Sequence, residues 1–258
     1  MSQYRDWWTA FFAEFRPAFT MIKPQTTASE VRYAIRALKL KAGSRLLDCP
    51  CGIGRHAIPF ARRGIRVTGV DITKQYLDEL DEKARRLKLP IRTHRADMRH
   101  LRFANQFDAA ANLWTSLGYF ESESDNLRVV RGLFRALRPG GRVLIHLINR
   151  DWILYHFTPS EWYDFGGVRV LEQRVFDFET SIMRSMWQFE RDHKIVRCPV
   201  QLRHYSYHEI VQMLTRAGFV DIHGDGSPRG GPIDRDARMM YITARKPPSS
   251  QTRRRSAR

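Results

Sequence analysis

Three cysteines among 258 residues are too few, and odd in number, for a disulfide framework. Cys49 and Cys51 are separated only by Pro50, too close to staple a fold, and Cys198 lies far from both. The same scarcity argues against zinc, because no second pair of ligands at suitable spacing accompanies the CysProCys pair; no metal is expected. No run reaches the roughly 18 apolar residues that a membrane-crossing helix needs. The opening MetSerGlnTyrArgAspTrpTrp lacks the basic-then-apolar order of a secretory signal, so the expectation is a cytoplasmic protein with no membrane partner. Acidic residues are also scarce, 27 against 44 lysines and arginines.

The resulting net charge is +17. Arg253, Arg254, Arg255 and Arg258 supply four of these charges, so 17 − 4 leaves +13 on the rest of the chain. Such an excess draws anionic molecules, RNA included, by its long-range field, but says nothing about fold. Residues 247–258 read as a disordered, solvated basic tail. With 43% hydrophobic residues, the remainder is long enough to bury a substantial core.

The pattern from residue 26 onward alternates. Thr27 to Leu38 reads as a helix opened by a capping box between Thr27 and Glu30. SerArgLeuLeuAspCys (44–49) is a short apolar strand, Arg55–Arg63 a helix stopped by Gly64, Ile65–Val70 a strand, and Lys74–Lys88 a charged helix. Strands near Ile91–His94 and Phe107–Leu113 follow, then a helix over Asp125–Leu137 stopped by ArgProGlyGly, and a buried strand at Arg142–Ile148. This is an α/β, Rossmann-like pattern: a mainly parallel sheet covered by helices on both faces, with ligands gathering at the strands' carboxyl ends. Beyond Asn149, Val168–Phe178, Ser181–Arg191 and Ile195–Tyr205 read as strands with no helical period between them, a small antiparallel β insertion. A helix capped by Ser206 and Glu209 and ending at Gly218 then resumes the first pattern. The expected organisation is an aromatic N-terminal lid or helix (1–25), a main domain (26–156 and 205–246), the insertion (157–204) and the tail.

LeuLeuAspCysProCysGlyIleGlyArgHisAla (46–57) carries the strongest signal, a strand entering a helix through glycines. Gly52 and Gly54 let backbone amides approach a ligand that side chains would hold away. Gly52, Gly54 and Ala57 match GxGxxA, and Asp71 follows Gly52 by 19 residues, so a dinucleotide fits the spacing equally well. Charge separates the two readings. Asp48 stands where a pyrophosphate would sit and would repel it, whereas S-adenosylmethionine (SAM) presents an ammonium and a sulfonium. A charge-assisted bond to such a cation is worth roughly 1.5–3 kcal/mol.

These residues resemble motif I of the class I SAM-dependent methyltransferases, and the resemblance runs through nearly the whole chain. It implies SAM as cofactor, with Asp71, followed by Ile72, on the ribose hydroxyls. Asp97 and Met98 of ArgAlaAspMet would read the adenine edge. PheAspAlaAlaAlaAsnLeuTrpThrSerLeuGlyTyrPhe (107–120) is similar to motif IV, which implies Asn112 and Leu113 beside the methionyl part of SAM. CysProCys departs from the acidic or small residues that often precede the glycines. Cys49 and Cys51 are read as packing residues, since nothing electropositive accompanies them.

The acceptor is less legible. His146, near the end of its strand, and Tyr119, after motif IV, are candidates for a general base, should the acceptor carry a proton. Asn149 and Arg150, at the turn leaving the same strand, are candidates for orienting it. Trp8, Phe11, Phe12, Phe15 and Phe19 recur at helical spacing and read as an aromatic lid, an amphipathic core helix or a membrane-surface helix. The insertion is similar in placement to that of methyltransferases acting on amino sugars and other small molecules. It would wall the acceptor pocket with residues such as Trp187 and Arg203. A small-molecule acceptor methylated on N or O leads. An RNA-modifying enzyme is favoured by the charge but lacks an AsnProProTyr-type motif IV, and a noncatalytic SAM-binding protein stays open. The sequence carries no signal for oligomeric state.

Overall fold

The computed structural model describes Tyr4 and residues 6–249; the basic tail from residue 250 onward, and residues 1–3 and 5 of the N-terminal segment, lie outside the described residues. Strands β1 (Arg45–Asp48), β2 (Arg66–Asp71), β3 (Ile91–Arg95), β4 (Phe107–Asn112) and β5 (Leu137–Ile148) pair in parallel. Two late strands, β10 (Val220–Asp225) and β11 (Met239–Arg245), complete a seven-stranded sheet in the order β10-β11-β5-β4-β1-β2-β3, with β11 antiparallel to both neighbours.

Period-two alternation sends successive side chains to opposite faces, and each face has its own helices. Leu46, Val67, Ala109, Leu144 and Tyr241 bury against α2 (Pro24–Ala37) and α3 (Ala57–Ala61). Leu47, Val70, Ala110, Val143 and Ile242 pack in the other core with α5 (Glu123–Ala136) and α7 (Tyr207–Ala217). Helix α4 (Lys74–Arg86) follows β2. The α7 capping box is formed, with Glu209 Oε2 accepting from the Ser206 amide at 2.8 Å, and Gly218 ends the helix at φ +100°.

Between β5 and α7 the chain makes helix α6 (Arg150–Tyr155) and a separate antiparallel sheet, β6 (Ser160–Asp164), β7 (Arg169–Asp177), β8 (Ile182–Arg191) and β9 (Lys194–Arg203), in that order. One face of this sheet receives helix α1 (Trp7–Phe15): Trp187 packs edge-on against Phe11 at 5.3 Å and against Phe15 at 5.7 Å.

Three local readings of the sequence change. Helix α2 begins at Pro24, whose fixed φ suits a first turn, and has no side-chain cap; Thr27 and Glu30 are engaged elsewhere. ArgProGlyGly does not stop α5 from outside but lies within β5, which starts at Leu137 and shifts register against β4 near Asp108. The insertion has four strands rather than three, preceded by a helix.

Gly118, in the loop after β4, joins the two sheets. Its carbonyl accepts from the Arg203 amide at 2.8 Å, its φ is +110°, and an added Cβ would stand 2.2 Å from the Arg203 carbonyl oxygen. Gly118→Ala combines left-handed strain with that overlap, so a melting-temperature loss of about 4 °C or more is expected by calorimetry. An unchanged melting curve would mean the two sheets are not coupled there.

Candidate functional site

A cleft opens at the carboxyl ends of β1, β2 and β4 and encloses about 850 Å³, its open mouth included. The loop after β1 forms its base. Gly52, at φ +52° with open space where a Cβ would point, donates its amide to Asp71 Oδ2 at 2.8 Å. Asp71 Oδ1 accepts the Thr73 amide at 2.9 Å. Burial raises the proton affinity of Asp71 and these amides oppose it, leaving a positioned carboxylate with further lone pairs on the cleft wall. Ile72, Met98 and Leu113 line the same cleft.

Gly54 has a different reason to be glycine. It does not line the cleft; an added Cβ would meet Leu80 Cδ1 at 2.2 Å, so the residue lets α4 approach. Asn112 is also behind the wall, donating from Nδ2 to the Cys49 carbonyl at 2.9 Å and so fastening β4 to the loop. Asp97 lines the cleft, but its carboxylate is held by Arg99, through the backbone amide at 2.8 Å and the guanidinium at 2.6 Å. Burial would raise its proton affinity, yet the Arg99 hydrogen bonds hold it below the usual range. Cys49 and Cys51 are buried free thiols pushed well up by desolvation, with Cys51 Sγ packed where a Cβ on Gly69 would lie, 2.8 Å away.

Asp48 is 1% exposed and neither carboxylate oxygen has a partner. Desolvation pushes it up to about 7, with Arg55 opposing and Asp71 adding to the rise. Arg55 and His56 are cleft residues that the sequence reading passed over. Arg55 Nη1 donates to Glu30 Oε2 at 2.7 Å and to Thr27 Oγ1 at 3.0 Å, and its guanidinium lies 5.0 Å from the Trp114 ring centre. Its Nη2 is buried and unpartnered. His56 Nε2 shares the same Glu30 oxygen at 2.8 Å. Burial would raise Glu30, but its bond to His56 and the charges of His56 and Arg55 pull it down to about 2. The signal was present: GlyArgHis follows the glycine turn directly, and Thr27 with Glu30 were the partners rather than a cap.

The acceptor candidates separate. Tyr119 lines the cleft, and burial raises its hydroxyl, so it stands as a neutral phenol. His146 does not line it. Its ring stacks on Tyr241 at 4.2 Å, Nδ1 accepts from the Trp114 amide at 3.4 Å, and burial lowers it to about 3. It therefore supports Trp114 and Thr115, two successive residues at positive φ, from behind. Asn149 caps α6 by accepting the Asp151 amide at 3.1 Å and donates to the Asp234 and Ala237 carbonyls. Arg150 pairs with Glu209 at 2.9 Å. Neither lines the cleft, and nor do Trp187, packed under α1, or Arg203, which is tied to Glu123 and Glu209.

Helix α1 and the 3-10 turn Arg16–Met21 roof the cleft with Trp8, Phe12 and Phe19. Arg16 grips Glu79 of α4 with two bonds of 3.0 and 2.9 Å, Tyr76 donates to the Phe12 carbonyl, and Trp7 Nε1 donates to the Tyr119 carbonyl at 3.3 Å. Among the described residues, no helix is long and apolar enough to cross a membrane, and no group of three or more His, Cys, Asp or Glu is placed to hold a metal.

Strand order and the glycine turn after β1 define a Rossmann-like fold of the kind found in SAM-dependent methyltransferases. Residues 46–141 match the family model described as a methyltransferase domain. The S-adenosyl-L-methionine-dependent Diels-Alderase iccD of Talaromyces variabilis is 35% identical over 212 residues, 80% of this chain and 62% of that protein. The putative methyltransferase YqeM of Bacillus subtilis (strain 168) is 32% identical over 121 residues, 46% of this chain and 49% of that protein. The chain thus spans about half to three fifths of the length of these two relatives. In fold it is similar to a SAM-bound amino pentose methyltransferase from Micromonospora echinaspora, with a TM-score of 0.64 at 20% identity, covering 92% of this chain and 97% of the other.

Folded Asp48 keeps its proton to about pH 7, whereas an unfolded aspartate loses it near 4. The folded state therefore binds more protons in that window, and this group's contribution to stability falls as pH rises through it. Asp48→Asn removes the buried charge; the ligand-free variant is expected to melt several degrees (roughly 5 °C) above the parent at pH 8, with little difference at pH 4. Equal melting temperatures at pH 8 would show that Asp48 is not an uncompensated buried carboxylate.

Proposed function

We propose that this chain transfers the methyl group of SAM to an N or O atom of a small molecule held beneath helix α1. The observation that carries the reading is Asp71, anchored by the Gly52 and Thr73 amides yet facing the cleft with lone pairs to spare for a ribose diol. The unpartnered groups fit the rest of SAM: Arg55 Nη2 suits the methionyl carboxylate, and the Asp48 carboxylate just behind the loop suits the field of the ammonium. Met98 and Ile72 offer apolar surface to the adenine, while Asp97, occupied by Arg99, has only residual acceptor capacity for its edge.

SAM, when bound, supplies a methyl group already activated by its sulfonium, so the protein's task is alignment and the exclusion of water. The roof of Trp8, Phe12 and Phe19 and the motif IV side chains Trp114, Tyr119 and Phe120 do this, enclosing the donor side in aromatic surface. For a proton-bearing acceptor, His56 is the cleft-lining imidazole among the described residues. Burial holds it below its usual range, opposed by its bond to Glu30, which fixes Nε2. His146, neutral and screened from the cleft, is assigned a supporting role. The small-molecule reading is supported by the aromatic roof that α1 lays over the cleft, which leaves little room for a folded nucleic acid.

A second reading has specific support, since the relative matched over 80% of this chain is a SAM-dependent Diels-Alderase. There the bound cation would serve without giving up its methyl group. Incubation with methyl-labelled SAM and fractionated cell extract distinguishes the two. Label appearing in a small molecule, with S-adenosylhomocysteine released in equal amount, supports transfer; conversion of a metabolite with all label retained in SAM supports the second reading. Asp71→Ala is expected to weaken SAM binding about 100-fold by calorimetry, from loss of two charge-assisted bonds. Glu30→Gln, which loosens Arg55 and His56 together, is expected to weaken it about tenfold. Unaltered affinity in Asp71→Ala would overturn the cofactor assignment.

A further inference from the structure

Away from the cleft, the outer side of α2 and the turn before β11 enclose a depression lined by Ser29, Arg32, Tyr33, Arg36, Pro228 and Arg229. The four α2 residues recur at i, i+3, i+4 and i+7 and so share one stripe of the helix. Arg36 is pinned: its Nη2 donates to the Pro228 carbonyl at 3.1 Å and its guanidinium lies 5.4 Å from the Tyr33 ring centre. The turn carrying Arg229 is also ordered, with Ser227 Oγ donating to the Gly230 carbonyl at 2.7 Å and accepting the Arg229 amide at 3.2 Å.

Among the described residues, Arg32, Arg36 and Arg229 form no ion pair, and no carboxylate lines the hollow. Of the carboxylates near them in sequence, Glu30 is held by Arg55 and His56, and Asp225 accepts from Tyr33 at 2.8 Å and faces His223 at 3.3 Å. Three guanidinium groups gathered around one hollow repel one another unless an anion joins them, and their planar forks match phosphate oxygens.

We propose that this depression is a binding site for the phosphate groups of a small phosphorylated ligand, separate from the SAM cleft, with Arg32 and Arg229 as its two free arms and Arg36 as its fixed one. A phosphate-bearing metabolite fits better than RNA. Its one aromatic residue, Tyr33, is 2% exposed and offers no face on which a base stacks.

The test uses inorganic pyrophosphate as the probe, titrated calorimetrically into the full chain, into Arg32→Ala and into the Arg32→Ala/Arg229→Ala double variant. Both side chains are exposed and bear no partner, so the fold is expected to survive; SAM affinity, measured in parallel, checks this. Saturable binding by the parent is expected, weakened about tenfold by the single change and about 100-fold by the double one, with SAM affinity unchanged. No saturable binding by the parent, or equal binding by the double variant, overturns the site. A single-stranded RNA oligonucleotide that binds more tightly than pyrophosphate and loses that affinity in the double variant overturns the assignment to a small ligand.

Discussion

One buried carboxylate, that of Glu30, organises the site. It is contributed by α2, before the sheet begins, and it is shared by Arg55 and His56 at the start of α3, so it ties an early helix to the loop that leaves β1. A lone buried carboxylate would be expensive. Here two donors compensate it, and it stays ionised to about pH 2. Remove it, and Arg55 loses the partner that holds its guanidinium over Trp114, the residue whose left-handed backbone begins the motif IV loop. Through Arg55, then, the loops after β1 and β4 are referenced to the same anchor.

The cleft built on that anchor has two chemically distinct halves. Its base is polar and preorganised, with Gly52, Asp71 and Thr73 joined by backbone-to-carboxylate bonds that a ligand need not rearrange. Its roof is aromatic and comes from elements remote in sequence: α1 above, motif IV at the side, and the insertion sheet bracing α1 from outside through Trp187. The insertion thus acts on the cleft at one remove, by holding the helix that covers it.

What was legible in the sequence follows the same division. Gly52 and Asp71 belong to a strand-turn-helix unit whose spacing reflects local geometry, and the alternation of strands and helices gave the doubly covered sheet. Gly54 illustrates the limit: its place in the motif was readable, but its reason, the approach of Leu80, depends on α4 packing. Thr27 and Glu30 have the spacing of a capping box, and only the tertiary fold reveals that Arg55 claims both. Asn149 and Arg150 sit beyond a strand end, where ligands often gather. The two are nevertheless consumed by α6 and α7, because a chain entering a helix needs a cap and the Glu209 carboxylate needs a counter-charge. His146 points from β5 toward the α2 side, a matter of strand parity that sequence alone left open.

Asp48 makes the balance of these forces explicit. A carboxylate with no partner on either oxygen, held near pH 7 by burial, is a defect in a protein judged by stability alone. It sits at the end of β1 beside Arg55, whose own free Nη2 is the complementary defect. The two do not satisfy each other with a hydrogen bond, although Arg55 stabilises the charged form of Asp48. On the proposed reading, a zwitterion placed over the loop would set its carboxylate against Arg55 and its ammonium in the field of Asp48 behind the loop. The methionyl end of SAM is such a zwitterion, and an unzwitterionic nucleotide would meet at most one of the two. On that reading, these two neighbouring unmet groups favour this cofactor over a dinucleotide.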